Sequence, residues 1–143
     1  MSSITSANAQ YLLAIGGLFP IPQGLQGFSA EDVFATEAID TAEILMGVDG
    51  KMSAGFIFVP IKQTVTLQAD SASNAIFDAW FTAEQVAKEK FFANGVVLLT
   101  SVGSKWTLSN GVLSSYSPLP DAKKVLQPRK YQITWNSVSP AVA

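Results

Sequence analysis

Apolar and polar residues alternate strictly along residues 64–70, with Val65, Leu67 and Ala69 on one side and Thr64, Thr66 and Gln68 on the other. A period of two marks a half-buried strand. The alternation returns near the end of the chain, where Tyr131, Ile133 and Trp135 oppose Gln132, Thr134 and Asn136 and predict a strand over 131–138. Between these, residues 96–100, 105–108 and 112–116 are rich in β-branched and aromatic residues, and Gly103-Ser104, Asn110-Gly111 and the Pro-rich 118–121 punctuate them. The period changes only once. Ile76, Phe77, Trp80, Phe81, Ala83 and Ala87 recur at spacings of three and four, which predicts a helix over 74–90 behind Ser73 as N-cap. Its other face carries Asp78, Glu84, Lys88, Glu89 and Lys90, with Glu84 and Lys88 at the favourable i, i+4 spacing.

The strongest turn signal lies in Val48-Asp49-Gly50-Lys51, where Asp-Gly suits the two central, positive-φ positions of a type I′ turn, so a hairpin is expected over 39–58. Residues 51, 53 and 55 (Lys, Ser and Gly) offer little to a core, so that hairpin is expected to project. Residues 1–12 read as an extended arm, and the two prolines and four glycines of 16–27 forbid a long regular element there. The whole chain, 1–143, is expected to be a single domain, mainly β, an antiparallel sandwich or barrel with one flanking helix.

With 143 residues, 48% of them apolar and only 14% charged, the chain can bury one core. No cysteine and no histidine are present, which removes disulfides, thiolate or imidazole metal sites and Cys or His catalysis. No apolar run approaches the roughly 18 residues of a membrane span, and the N-terminus lacks a basic signal region, so the protein is expected to be made and kept in the cytoplasm without a membrane anchor. Nine basic against eleven acidic residues and a pI near 4.9 argue against wrapping a nucleic acid. The charge is unevenly placed. Residues 1–50 hold six acids and no Lys or Arg, residues 51–100 balance, and residues 101–143 hold five bases against Asp121. Such a dipolar chain invites self-association. The candidate contact residues are Glu31 and Asp32 on the acidic side, Lys123, Lys124, Arg129 and Lys130 on the basic side, and Asp49, Gly50 and Lys51 at the hairpin turn.

Chemistry has few footholds. Asp70 with Asp78, or Glu31 with Asp32, are the only carboxylate pairs for glycosidase-type work, and their context favours a turn residue and a helix-start acid instead. The basic run from Lys123 to Lys130 reads as a solvated loop or a contact for an acidic protein surface before it reads as a phosphate site. Trp80, Trp106, Trp135, Tyr116 and Tyr131 would suit a sugar platform in a carbohydrate-binding sandwich, but Trp80 and Trp135 fall on apolar stripes and are expected in the core.

The stretches Phe92-Ala-Asn-Gly-Val-Val-Leu-Leu, Lys105-Trp-Thr-Leu-Ser-Asn-Gly-Val-Leu-Ser-Ser-Tyr-Ser-Pro, Ala122-Lys-Lys-Val-Leu-Gln-Pro and Tyr131-Gln-Ile-Thr-Trp resemble those of tail tube proteins of contractile-tailed bacteriophages. Leu18-Phe-Pro-Ile-Pro-Gln-Gly-Leu-Gln-Gly-Phe and Val48-Asp-Gly-Lys-Met-Ser-Ala-Gly-Phe extend the resemblance over nearly the whole chain. It implies a structural, non-enzymatic virion protein without cofactor or metal. Hexameric rings of it would stack into the inner tail tube and conduct phage DNA without binding it tightly. The implied partners are further copies of itself and the tail sheath, tape-measure and baseplate proteins, and the implied location is the virion tail after assembly in the host cytoplasm. A baseplate-proximal tube or initiator protein of the same fold is the alternative within that resemblance.

Overall fold

The computed structural model describes residues 9–28 and 33–142. Its described strands are β1 (Ala9–Ile15), β2 (Phe19–Gly24), β3 (Phe34–Thr36), β4 (Ala42–Met46), β5 (Met52–Phe56), β6 (Ile61–Leu67), β7 (Ala93–Leu99), β8 (Ser104–Tyr116), β9 (Arg129–Trp135) and β10 (Ser137–Val142). Among the described residues a single helix, α1 (Asn74–Ala87), stands between β6 and β7. Eight strands form one antiparallel sheet in the order β2-β1-β7-β8-β9-β6-β3, with β10 also on β8. The sheet does not close into a barrel.

One strand turns this sheet into a sandwich. The sequence reading splits residues 105–116 at Asn110-Gly111, whereas β8 runs unbroken for 13 residues and turns a corner there. Asn110 takes a positive φ of 50° and its N–H is received by Asn94 Oδ1 at 3.2 Å. Gly111 is demanded by packing: a Cβ on it would lie 2.5 Å from the Trp135 ring. On one side of the bend β8 pairs with β7 and β10, and on the other with β9.

The expected strand over 131–138 is likewise two strands in line along β8, interrupted at Asn136, whose N–H reaches Ser109 O at 3.1 Å. β1 begins at Ala9 and buries Tyr11 and Leu13, so residues 9–12 belong to the sheet rather than to an arm. Residues 1–8 lie outside the described residues.

The core gathers Tyr11, Leu13 and Ile15 from β1, Val65 and Leu67 from β6, Tyr131, Ile133 and Trp135 from β9, and Phe77 and Trp80 from α1. The period-two positions of β6 and β9 thus face inward together. Phe77 stacks on Tyr131 at 4.1 Å between ring centroids, and Trp80 Nε1 donates to Phe91 O at 3.2 Å. Phe81 stacks on Tyr116 of β8, so helix α1 lies over β8 and β9.

Both ends of α1 differ from the pattern reading. Ser73 gives no side-chain cap; its Oγ accepts the Gln26 N–H at 2.9 Å instead, and the first helical N–H groups reach back to the carbonyls of residues 71–73. Asn74 does the tying, with Nδ2 donating to Gln68 O at 2.9 Å and Oδ1 accepting the Tyr131 hydroxyl at 2.8 Å. At the other end Lys88 adopts a left-handed conformation (φ 54°) and stops the helix at Ala87. The expected Glu84–Lys88 pair is absent because Lys88 has left the helix. Glu84 is buried rather than on the outer face, and Lys90 reaches its Oε2 at 2.8 Å and Leu113 O at 3.2 Å.

Candidate assembly surface

β4 and β5 pair only with each other and join no wider sheet among the described residues. All ten of their residues are exposed. The register opposes Ala42 to Phe56, Ile44 to Ala54 and Met46 to Met52, and cross-strand partners share a face. One face of the hairpin is therefore wholly apolar. The other carries Glu43, Leu45, Ser53 and Gly55. Ile44, Met46, Met52 and Phe56 are 59–74% exposed, and Phe58 just beyond packs edge-to-face on Phe56 at 4.9 Å. Met52 to Phe56 alternates cleanly in sequence, the one signal that pointed to this face; on β4 Leu45 breaks the alternation and hides it.

Asp49, Gly50 and Lys51 sit together at the tip, but the turn is not type I′. Among the described non-glycine residues only Lys88 and Asn110 have positive φ, so Asp49 does not, while Gly50 has φ 84°. Gly50 N–H donates to Gly47 O at 3.0 Å and Gly47 N–H to Lys51 O at 2.8 Å, which makes a three-residue loop closed by a left-handed glycine. Asp49 Oδ1 accepts the Lys51 N–H at 3.1 Å. The aspartate thus serves as a side-chain acceptor within the loop.

The basic candidates divide. Lys123 and Lys124 are exposed on the loop between β8 and β9, beside exposed Leu119, Val125 and Leu126, and Lys130 is exposed on β9. Arg129 is not offered to solvent. It is 6% exposed, lies over the rings of Tyr131 and Tyr116, and donates through Nη2 to Asp78 Oδ1 at 2.7 Å and to Ser117 O at 2.8 Å. The Tyr116 hydroxyl also donates to Asp78. Burial pushes the Asp78 carboxyl up, but the hydrogen bonds from Arg129 and Tyr116 and the guanidinium charge outweigh it and hold its pKa below the ordinary value. Asp78 is taken up in its pair with Arg129 on the helix and Asp70 is an exposed turn residue, so the structure places the two carboxylates in different settings, a helix ion pair and a turn. Glu31 and Asp32 lie outside the described residues.

The aromatic candidates form no exposed row. Trp80 and Trp135 are fully buried, and Tyr116 and Tyr131 hold the Asp78–Arg129 pair. Trp106 is half-buried on the wall of a cavity of about 290 Å³ that opens from inside the sandwich. Phe34, Val97, Leu99, Leu108 and Val138 supply its other apolar walls, with Gln63 and Thr36 as polar members. Gln63 is 3% exposed; its Oε1 accepts the Tyr11 hydroxyl and Trp135 Nε1–H, and its Nε2 donates to Thr36 Oγ1 at 3.2 Å. Sequence spacing gave no hint of this cavity, because its walls come from six strands, Trp135 of β9 among them. A second apolar groove at the hairpin root, lined by Ile39, Phe56, Phe58 and Pro60, shares Val138 with it.

A family model described as tail fiber protein gp32 matches residues 2–139. No curated protein matches the chain. Among solved structures, the fold is similar to a chain of the 6-fold symmetrised anti-feeding prophage (AFP) baseplate, with a TM-score of 0.62 at 12% identity over 99% of this chain and 97% of that one. It is similar to a chain of the PVC sheath/tube terminator of an extracellular contractile injection system, TM-score 0.60 at 12% identity over 99% of both chains. A chain of the PVC sheath-tube complex in the extended state aligns with a TM-score of 0.59 at 13% identity, over 94% of this chain and 89% of that one.

Proposed function

The chain belongs to the tail fiber protein gp32 family, a structural tail component, and on that premise we propose that it is a single-domain, non-enzymatic subunit of a contractile-tail tube, closing into hexameric rings that stack around a DNA-conducting lumen. The observation that carries the reading is the hairpin of β4 and β5: ten exposed residues, one face wholly apolar, and no wider sheet joined among the described residues. A lone two-stranded hairpin is marginally stable in water, and a contiguous apolar face of that kind marks an interface. The fold it shares with chains of baseplate, sheath-tube and terminator assemblies supports the same direction.

Ring closure and stacking bring unlike surfaces together, which suits the uneven charge. The acidic segment described from Glu37 through Asp49 faces the basic loop of Lys123 and Lys124 on the next ring in this reading. Each exposed pair contributes on the order of 0–1 kcal/mol, but ring symmetry repeats it. A lumen without a basic lining lets a genome slide, since phosphate contacts would release counterions and hold it. Sheath, tape-measure and baseplate proteins are the further partners, and the tail of a virion is the place. A baseplate-proximal tube protein is the second reading, favoured by the likeness to the baseplate chain.

Negative-stain imaging of the purified protein, with sedimentation over a concentration series, tests this. Rings with stacked tubes are expected. A strict monomer at high concentration with bare grids overturns it, and single rings that never stack favour the baseplate reading.

A further inference from the structure

We propose that Met46 and Met52 form a paired sulfoxidation site: peroxide acting on the dissociated chain turns both thioethers into sulfoxides, and the hairpin face that carries them is then no longer fit to be buried in assembly. The inference rests on the self-assembly reading and concerns how that assembly is switched off.

The two sulfurs are open to an oxidant. Of the three methionines, Met1 lies outside the described residues, and the other two stand opposite each other as the last pair of the β4–β5 ladder before the loop. Met46 is 66% exposed and Met52 61%. Nothing among the described residues lies over them, since β4 and β5 pair only with each other and all ten of their residues are exposed. Competing targets are few. The chain has no cysteine, whose thiolate would otherwise take the oxidant, and Trp80 and Trp135 are fully buried.

The step is a two-electron oxygen transfer. The thioether sulfur attacks one oxygen of hydrogen peroxide, an S–O bond forms as the O–O bond breaks, and the proton on the transferred oxygen passes to the departing hydroxide, which leaves as water. Sulfur is oxidised and the peroxide is reduced, with no help needed from a neighbouring acid or base.

The product is polar where the site is not. Ala42, Ile44, Met46, Met52, Ala54 and Phe56 make up the face, so no side chain on it offers a hydrogen to a sulfoxide oxygen. The loop beside the pair is already engaged at three positions: Gly47 N–H goes to Lys51 O, Gly50 N–H to Gly47 O and Lys51 N–H to Asp49 Oδ1. Cross-strand partners lie about 4.5–5.5 Å apart at Cβ, so the two new oxygens fall in one patch. Water hydrates them while the hairpin stays exposed. Burying them unpaired carries the desolvation penalty of both, and ring symmetry repeats it at every contact. The change is reversible, because each sulfoxide epimer has its own reductase.

In the test, the dissociated protein is treated with hydrogen peroxide, freed of it, and brought to conditions under which the parent assembles. Peptide mass spectrometry should find one added oxygen on Met46 and one on Met52, and sedimentation should show assembly reduced tenfold or more. Circular dichroism should stay native, because neither residue belongs to the core. Treatment with both methionine sulfoxide reductases should restore assembly. Met46→Leu with Met52→Leu, apolar and without sulfur, should assemble within twofold of the parent before and after peroxide. Parental assembly from chains carrying both sulfoxides overturns the site while the assembly reading stands. So does a loss that the reductases do not reverse, or one that peroxide inflicts equally on the leucine pair, since the damage then lies elsewhere. A parent that stays monomeric without oxidant overturns the assembly reading and this inference with it.

Discussion

Asp78 on α1 and Arg129 at the head of β9 meet at 2.7 Å, and this pair fastens three parts of the molecule at once. The guanidinium ties the helix to the sheet, holds the carbonyls of Ser117 and Pro118, and rests on two tyrosine rings. The exposed loop with Lys123 and Lys124 therefore starts and ends at one anchor.

Acidification should loosen this anchor. Because the folded-state pKa of Asp78 is depressed, the pair's stabilisation is fully present above the unfolded carboxyl value of about 3.9 and is lost as pH falls through the folded value. In urea titrations the gap between the parent and Asp78→Asn should hold down to about pH 5 and narrow as pH falls further, below the unfolded carboxyl value. A gap that widens on acidification would show that the pair does not act this way.

Arg129→Ala should cost about 1–3 kcal/mol at neutral pH, since it leaves two carbonyls and a carboxylate without their donor. Trypsin should then cut after Lys123 or Lys124 faster than in the parent, because the loop has lost its tether. An unchanged cleavage rate would place the tether elsewhere.

Gly111→Ala should destabilise by roughly 1–3 kcal/mol, because its Cβ meets the Trp135 ring at 2.5 Å and the bend of β8 cannot give way without moving the core. Gly55→Ala, with nothing within 4 Å, is the control and should unfold with the parent. Thermal denaturation of the two variants compares them directly.

Gly50→Val should disturb assembly without unfolding the domain. A β-branched residue is strained at φ 84°, yet the tip touches no core residue. Circular dichroism should stay native while sedimentation shows fewer rings. Rings in parental yield from a demonstrably distorted turn would separate the tip from assembly.

Lys123→Glu with Lys124→Glu should slow stacking at low salt and leave single rings intact. Near about 1 M salt, where the Debye length is about 3 Å, parent and variant should converge. Parental stacking at low salt would remove these lysines from the contact.

Duplex DNA should not shift on a gel with this protein at physiological salt, because an acidic chain whose one buried arginine is already paired offers phosphates little. A clear shift would return the basic loop to the list of nucleic-acid sites.

The sequence by itself determined what depends on neighbours along the chain. Alternation at 64–70 and 131–136 marked β6 and β9 and their buried sides, although β6 starts at Ile61 and ends at Leu67. The three-and-four spacing of Ile76, Phe77 and Trp80 marked α1, and the absence of His and Cys removed whole classes of chemistry. Tertiary structure decided whatever depends on residues far apart. Glycine after asparagine reads as a chain break, but opposite Trp135 the same pair became the corner of an unbroken strand. Arg129 looks like one more charge in a basic run until Asp78, 51 residues away, takes it inside. Ser73 was drawn from capping by Gln26, and Lys88 from its helical pair by its own left-handed turn. The hairpin's apolar face exists only in the register of β4 against β5, and the cavity only where six strands meet, because local pattern fixes which way a side chain points and only the fold fixes what stands opposite it.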